Sequence, residues 1–258
     1  MSLWAKSLFL SALCFAHFAE ARKFSFQTED IAAYFRGTGG LSAVQQSAFK
    51  DSISSSTIEF SSEAPSLNLG GELGFLFKMS EQINFRVAAE VMQAKIGGVK
   101  GSDPSSSTEY FELESDIFVF NPQAVIEYTF KGTTTSRFVS YAGLGYANVR
   151  LDNKFEINSA GESNLGVQSY TEKSEGNFIS GVAGVGWEGL FVDNVTAFVD
   201  IGYRFLDANK LKYKADETVI GGQVSKGDEL SNSNGNTRSL DLGGPYIGIA
   251  FRFYIDVI

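Results

Sequence analysis

Apolar residues recur at every second position through most of this chain, in stretches of about ten, and the positions between them are polar or small. The second stretch is clean. Leu67, Leu69, Leu73, Phe75 and Phe77 share one face, and Asn68, Gly70, Glu72 and Gly74 share the other. In the third, Ile83, Phe85, Val87, Ala89 and Val91 oppose Asn84, Arg86, Ala88 and Glu90. In the fourth, Phe118, Phe120, Ala124, Ile126, Tyr128 and Phe130 oppose Asn121, Gln123 and Glu127. The sixth sets Ile179, Ala183, Val185 and Trp187 against Ser180, Gly184, Gly186 and Glu188. The seventh sets Val195, Ala197, Val199, Ile201 and Tyr203 against Thr196, Asp200, Gly202 and Arg204. The eighth sets Ile247, Ile249, Phe251 and Phe253 against Gly248, Ala250 and Arg252. Two stretches are harder to phase. In the first, Phe24 to Arg36, Phe24 and Phe26 disagree with Ile31, Ala33 and Phe35; the fifth, Phe138 to Leu151, is too rich in Gly for its faces to separate.

The connections between these stretches alternate in length. Met79-Ser80-Glu81, Lys131 to Ser136 and Val192-Asp193-Asn194 are short, whereas residues 38–63, 96–115, 152–175 and 208–238 are long and polar. A transmembrane barrel has that rhythm, with short turns on the periplasmic side and long loops outside. A soluble sandwich would also alternate, but its polar face would meet water and carry Lys, Thr and Glu rather than so much Gly. The pattern predicts an all-β fold, a closed eight-stranded antiparallel transmembrane β-barrel. An even strand count puts both termini on one side.

The N-terminus changes the chemistry available. Lys6 precedes the apolar run Ser7 to Phe18, and Ala19-Glu20-Ala21 follows with small residues at the positions a signal peptidase reads. The run is shorter than the roughly 20 residues a membrane-spanning helix needs. Residues 1–21 are therefore expected to be a cleaved signal peptide and 22–258 the barrel domain. The only Cys (Cys14) and the only His (His17) would leave with it. Without thiol or imidazole there is no disulfide, no Cys nucleophile, no His base and no His-held metal or haem. No cofactor and no enzymatic activity are expected. A net charge of −9 argues against nucleic acid as a partner. No later segment is a long apolar run, and a membrane protein without such helices must close its backbone hydrogen bonds in a barrel.

Several segments resemble a known family. Ser140-Tyr141-Ala142-Gly143-Leu144-Gly145-Tyr146 is similar to a Tyr-x-Gly-x-Gly strand, and Gly184-Val185-Gly186-Trp187-Glu188 with Val192-Asp193-Asn194-Val195 to the following strand and turn. Asp200 to Phe205, and Asn121-Pro122 with Tyr128-Thr129-Phe130, are similar in the same way. These residues resemble the small outer-membrane barrels OmpA, OmpX and OmpW of Gram-negative bacteria. The stretch Tyr246, Gly248, Phe251, Phe253 resembles the C-terminal β-signal read by the outer-membrane assembly machinery, although the chain continues through Tyr254 to Ile258. The resemblance implies a place in the cell envelope, in contact with outer-membrane lipids and lipopolysaccharide, with a surface or host ligand left open. No peptidoglycan-binding domain follows the barrel stretch, so a cell-wall tether does not carry over.

Other motifs weigh less. Gly184 to Gly189 satisfies G-x-G-x-x-G, but it lies inside a strand rather than before a helix, where a dinucleotide would need it. Leu41, Val44, Ala48 and Phe49 have helical spacing and are compatible with a short amphipathic helix. The inward charges are the strongest candidate site: Glu72, Glu90, Glu127, Glu188 and Asp200 with Arg86, Arg204 and Arg252. Buried charges persist when paired, so Arg86 is expected to find an inward carboxylate such as Glu90. A structural network filling the lumen is the favoured reading, because eight strands enclose little more than side chains. It implies a structural or surface-interaction barrel that displays its loops outside the cell. The alternative is a porin-like, narrow OmpW-type channel for small or apolar solutes.

Overall fold

Each alternating stretch folds as a strand. The structure, a computed structural model, describes residues 24–42, 58–61, 66–231 and 236–255. The expected signal peptide, including Ala19 and Ala21, and the helical spacing at Val44, Ala48 and Phe49 lie outside these residues. The long strands are β1 (Ile31–Ser42), β3 (Ser66–Lys78), β4 (Ile83–Ser102), β5 (Glu109–Gly132), β6 (Ser136–Ile157), β7 (Tyr170–Val192), β8 (Val195–Phe205) and β14 (Gly244–Ile255). Short ones are β2 (Glu59–Phe60), β9 (Asp207–Ala208), β10 (Lys212–Tyr213), β11 (Glu217–Val219), β12 (Gly222–Val224) and β13 (Leu240–Asp241). The helix α1 (Ser159–Leu165) is capped by Asn158, whose side chain accepts from the Gly161 N–H, and ends at Gly166 with φ 69°.

The eight long strands form a ring. In order it runs β7, β6, β5, β4, β3, β1, β14, β8, and β8 pairs back to β7, every pair antiparallel. The sequence's last strand thus meets its first, with Tyr34 opposite Arg252 and Phe35 opposite Phe251. Three short turns, after Lys78, Gly132 and Val192, mark one end of the ring, called the turn end below.

Two expectations about boundaries change. The first strand was expected from Phe24; it begins at Ile31, and Phe24 and Phe26 precede it, Phe26 within a turn. That removes the phase conflict, because Ala32, Tyr34, Arg36 and Thr38 then face inward together. The polar segments 96–115 and 152–175 are mostly strand. Only residues 103–108 separate β4 from β5, and 158–169 separate β6 from β7.

The physical reason is an exchange of faces along unbroken strands. On the turn-end part of β5, Phe118, Phe120, Ile126, Tyr128 and Phe130 point outward and Asn121, Gln123 and Glu127 inward. Farther from the turns, Glu112 and Asp116 face out and Phe111, Leu113, Ile117 and Val119 face in. β4 does the same, changing from Val87 and Val91 outside to Gln93, Lys95 and Lys100, while Met92, Ala94, Ile96 and Val99 turn inward. β6 follows, with Arg150, Asp152, Lys154 and Glu156 outside and Val149, Leu151 and Phe155 inside. Period two survives throughout; only the solvent facing each side changes. Apolar-outside suits lipid, and polar-outside suits water.

The extended parts of β4 to β7 stand above the rest of the ring as a half-wall. Its apolar inner face is covered by Leu206, Leu211, Tyr213, Leu230, Leu240 and Leu242, with Ile58, next to the β2 strand that pairs with β4. Among the described residues, no large apolar side chain is exposed in 92–117, 147–178 or 206–243. This cap therefore has an ordinary water-facing surface and a largely apolar core that also holds the Arg238–Glu172 pair.

Candidate functional site

Every charge predicted to face inward is buried inside the ring. Arg36 and Arg137, which the alternation did not single out, join them. Among the described residues, five arginines (36, 86, 137, 204 and 252) thus face five carboxylates (72, 90, 127, 188 and 200). The charges balance. They are placed by the strand period, since each lies on the face opposite a run of outward apolar residues.

The cluster nearest the turn end centres on Glu188. Its Oε2 accepts from Arg137 Nε at 2.8 Å and from Arg252 Nη1 at 2.9 Å, and its Oε1 from Tyr254 at 2.8 Å and Thr196 at 2.5 Å. Arg252 also grips Glu127 with both terminal nitrogens, at 3.0 and 2.8 Å, and lies over the Phe198 ring at 4.1 Å. Such two-pronged pairing fixes orientation as well as charge.

The middle cluster joins β1 to β3 and β8. Arg36 pairs with Asp200 through Nε at 3.1 Å and again through Nη2, and reaches Glu72 through Nη1 at 2.9 Å. Glu72 also accepts from Tyr34 and from Gln123 Nε2 at 3.0 Å. Tyr141 donates to Asp200 at 2.5 Å, and its hydroxyl lies 2.8 Å from that of Tyr246. A third cluster, toward the cap, pairs Arg204 with Glu90, which also accepts from Asn121 Nδ2 at 3.2 Å.

Arg86 corrects one expectation. Glu90 belongs to Arg204, and Arg86 instead lies between two other clusters, 3.4 Å from Glu127 and 3.8 Å from Glu72. None of its guanidinium nitrogens makes a hydrogen bond. It rests over the rings of Tyr34 and Tyr141, at 5.6 and 5.3 Å. Its attraction is electrostatic and loose.

Glycine makes the room. A Cβ at Gly202 would come within 2.6 Å of the Tyr141 and Tyr246 hydroxyls, and one at Gly186 within 2.5 Å of the Phe198 ring. In the G-x-G-x-x-G stretch of β7, Gly184 and Gly186 thus face the lumen rings of Tyr141 and Phe198, whereas Gly189 lies beside the outward Trp187.

The tyrosines were the main omission from the sequence reading. Tyr34, Tyr141, Tyr246 and Tyr254 occupy inward positions of β1, β6 and β14, in phase with Arg36, Arg137 and Arg252. Once a strand is phased by its Arg, its Tyr follows at an even interval. Of the residues expected to signal assembly, Tyr246 and Gly248 face inward. Phe251 and Phe253 are outward and half-buried, against Phe35 at 5.6 and 5.9 Å. The strand does not stop there: Tyr254 is inward, buried and hydrogen-bonded, so the tail is partly structural.

No protein-family model matches the chain, and no curated protein matches it. Solved structures do. OprG from Pseudomonas aeruginosa is similar at 14% identity, covering 89% of this chain and 98% of that one, with a TM-score of 0.45. A major outer membrane protein from Thermus thermophilus is similar at 13% identity, covering 86% and 99%, with a TM-score of 0.48. Ail, the attachment invasion locus protein of Yersinia pestis, is similar at 12% identity, covering 87% and 99%, with a TM-score of 0.37. These neighbours are small outer-membrane β-barrel proteins, the group that the strand motifs resemble.

Proposed function

We propose that this chain is a closed transmembrane barrel of a Gram-negative outer membrane, delivered there by a cleaved signal peptide. Its role is structural and surface-interacting, and it catalyses no reaction. The turn end faces the periplasm, and the half-wall and cap face the outside. The barrel wall contacts outer-membrane lipids and lipopolysaccharide, and the assembly machinery reads β14.

One observation carries the reading: the lumen is occupied by a neutral set of five arginines and five carboxylates, joined across the ring. A small barrel filled this way has little room left for a hydrated ion. The outward charges of the half-wall, including Lys95, Asp116 and Lys154, form a hydrated face suited to display.

The test is single-channel recording from the full chain in planar bilayers, after heat-dependent gel migration has shown it folded. No resolved steps are expected. Steady, ion-selective steps would replace the filled-lumen reading with that of a narrow channel.

A further inference from the structure

Phe24 and Phe26 have no place in the strand pattern, and the structure gives them another role. The chain enters β1 through a turn in which Thr28 N–H donates to Ser25 O at 3.0 Å. Within that turn, Phe26 N–H donates to Thr134 O at 3.2 Å. Thr134 lies in the turn between β5 and β6. In the ring, β1 is separated from β5 by β3 and β4, and from β6 in the other direction by β14, β8 and β7. The segment therefore reaches across the turn-end mouth to its far side.

Side chains from both sides hold it there. The Arg137 guanidinium of β6 lies 4.3 Å from the centre of the Phe26 ring. On the near side, Tyr254 of β14 meets Phe24 and Phe26 edge-on, at 5.2 and 5.9 Å, and the two rings meet each other at 5.0 Å. Lys78 Nζ donates to Gln27 O at 2.6 Å, anchoring the base of the segment to β3. Phe24, Phe26, Ala32, Leu76 and Tyr254 form a buried cluster of their own. Directly inside it lie Arg137, Glu188 and Arg252, the cluster nearest this end.

We propose that residues 24–30 are a strap that seals the turn-end mouth and keeps water from the Glu188 cluster. The proposal rests on the barrel reading but is independent of how full the lumen is. The strap's attachment differs from that of the wall. β1 is hydrogen-bonded to two neighbours along its length, whereas the strap reaches the far side through Phe26 alone, by its backbone bond to Thr134 and its ring against Arg137. A segment with so few ties is the part of a structure that opens before the rest.

The test uses single cysteines in the full chain carrying Cys14→Ser, so that the introduced thiol is the only one. Ala32→Cys places it under the strap, and Val125→Cys places it deep in the lumen; both native side chains are fully buried. The readout is the rate of modification by a charged methanethiosulfonate reagent in folded, detergent-solubilised protein. With the strap intact, Ala32→Cys should react slowly. Adding Phe24→Ala and Phe26→Ala should speed it by more than an order of magnitude, with heat-dependent gel migration showing that the ring remains folded. Fast reaction with the strap intact would overturn the proposal. So would unchanged slow reaction in the folded Phe24→Ala/Phe26→Ala chain. If Val125→Cys also becomes reactive when the strap is cut, the strap stands and the filled-lumen reading fails.

Discussion

Arg252 on the last strand and Glu127 on β5 are joined by two parallel hydrogen bonds, Nη1 to Oε2 at 3.0 Å and Nη2 to Oε1 at 2.8 Å. The two strands are not neighbours in the ring, so this pair ties the lumen across its width. Removing the cation takes both of these bonds from the buried Glu127 and leaves only Arg86, at 3.4 Å, as its nearby cation. Breaking a buried pair from one side costs about 3–5 kcal/mol. Arg252→Ala should lower the unfolding free energy from urea titration by an amount in that range, and adding Glu127→Gln should recover part of it. Equal midpoints for Arg252→Ala and the unaltered protein would show that the pair contributes nothing.

Arg86 should behave differently. It makes no hydrogen bond, and the carboxylates it approaches are already held by Arg36 and Arg252. Its burial carries a desolvation cost that loose pairing offsets poorly. An apolar side chain of similar length removes that cost without exposing an unpaired carboxylate. Arg86→Met should therefore shift the midpoint by less than half of what Arg252→Met does. A larger loss at Arg86 would mean that its long-range attraction to Glu72 and Glu127 outweighs the missing bonds.

The C-terminus gives a graded series. Phe251 and Phe253 pack outward on Phe35, while Tyr254 faces inward onto Glu188 and Arg137. Deleting residues 256–258 should leave outer-membrane insertion intact. Deleting from Tyr254 should permit insertion but reduce stability, by about 1–3 kcal/mol for the stranded hydrogen bonds. Phe253→Ala should slow insertion itself. The order is read from heat-dependent gel migration of membrane fractions; insertion lost on deleting 256–258 but kept in Phe253→Ala would reverse it.

How far the sequence disclosed this structure follows from which signal each residue carries. Strands such as β3 and β8 were legible because nearly all their large apolar residues face outward, Leu76 and Phe198 excepted, giving a period of two. The half-wall was not, because its faces exchange near Phe118 and its outward residues resemble those of a loop. Reading alternation of either polarity through residues 109–119 would have found it. The inward charges were visible from phase alone, but their partners were not. Glu90 is only four residues from Arg86, yet it pairs with Arg204 on β8, since register around a ring decides cross-lumen contacts. Arg36 was hidden by Phe24 and Phe26, whose phase belongs to the strap.

The cap and the β4–β5 turn should respond to pH in opposite directions. Burial pushes the Glu217 carboxyl up, and the nearby Glu172 adds to it, while Lys173 acts against. Glu217 is part-buried, and its enclosed Oε2 makes no hydrogen bond. Burial also raises Asp207, with Asp241 across the β9–β13 pair adding to it. A carboxyl whose folded pKa lies above its unfolded one holds its proton more tightly when folded. Its stabilising contribution is complete below the ordinary carboxylate value and is lost as pH rises through the raised one. Asp103 is the reverse. Its carboxylate accepts from the Ser105 hydroxyl and backbone N–H and from Tyr110, which hold its pKa well below the usual range. That turn gains stability above the ordinary value and loses it as pH falls through the depressed one. Amide hydrogen exchange, corrected for its intrinsic pH dependence, separates the two. Protection at Leu230 and Leu242, whose N–H groups bond to Leu211 and Leu206, should fall as pH rises through the raised carboxyl values. Protection at Ser105 should fall as the solution is acidified. Glu217→Gln should flatten the first profile and leave the second untouched. A cap whose protection climbs with pH in the unaltered protein would show that the Glu217 carboxyl is solvated rather than enclosed.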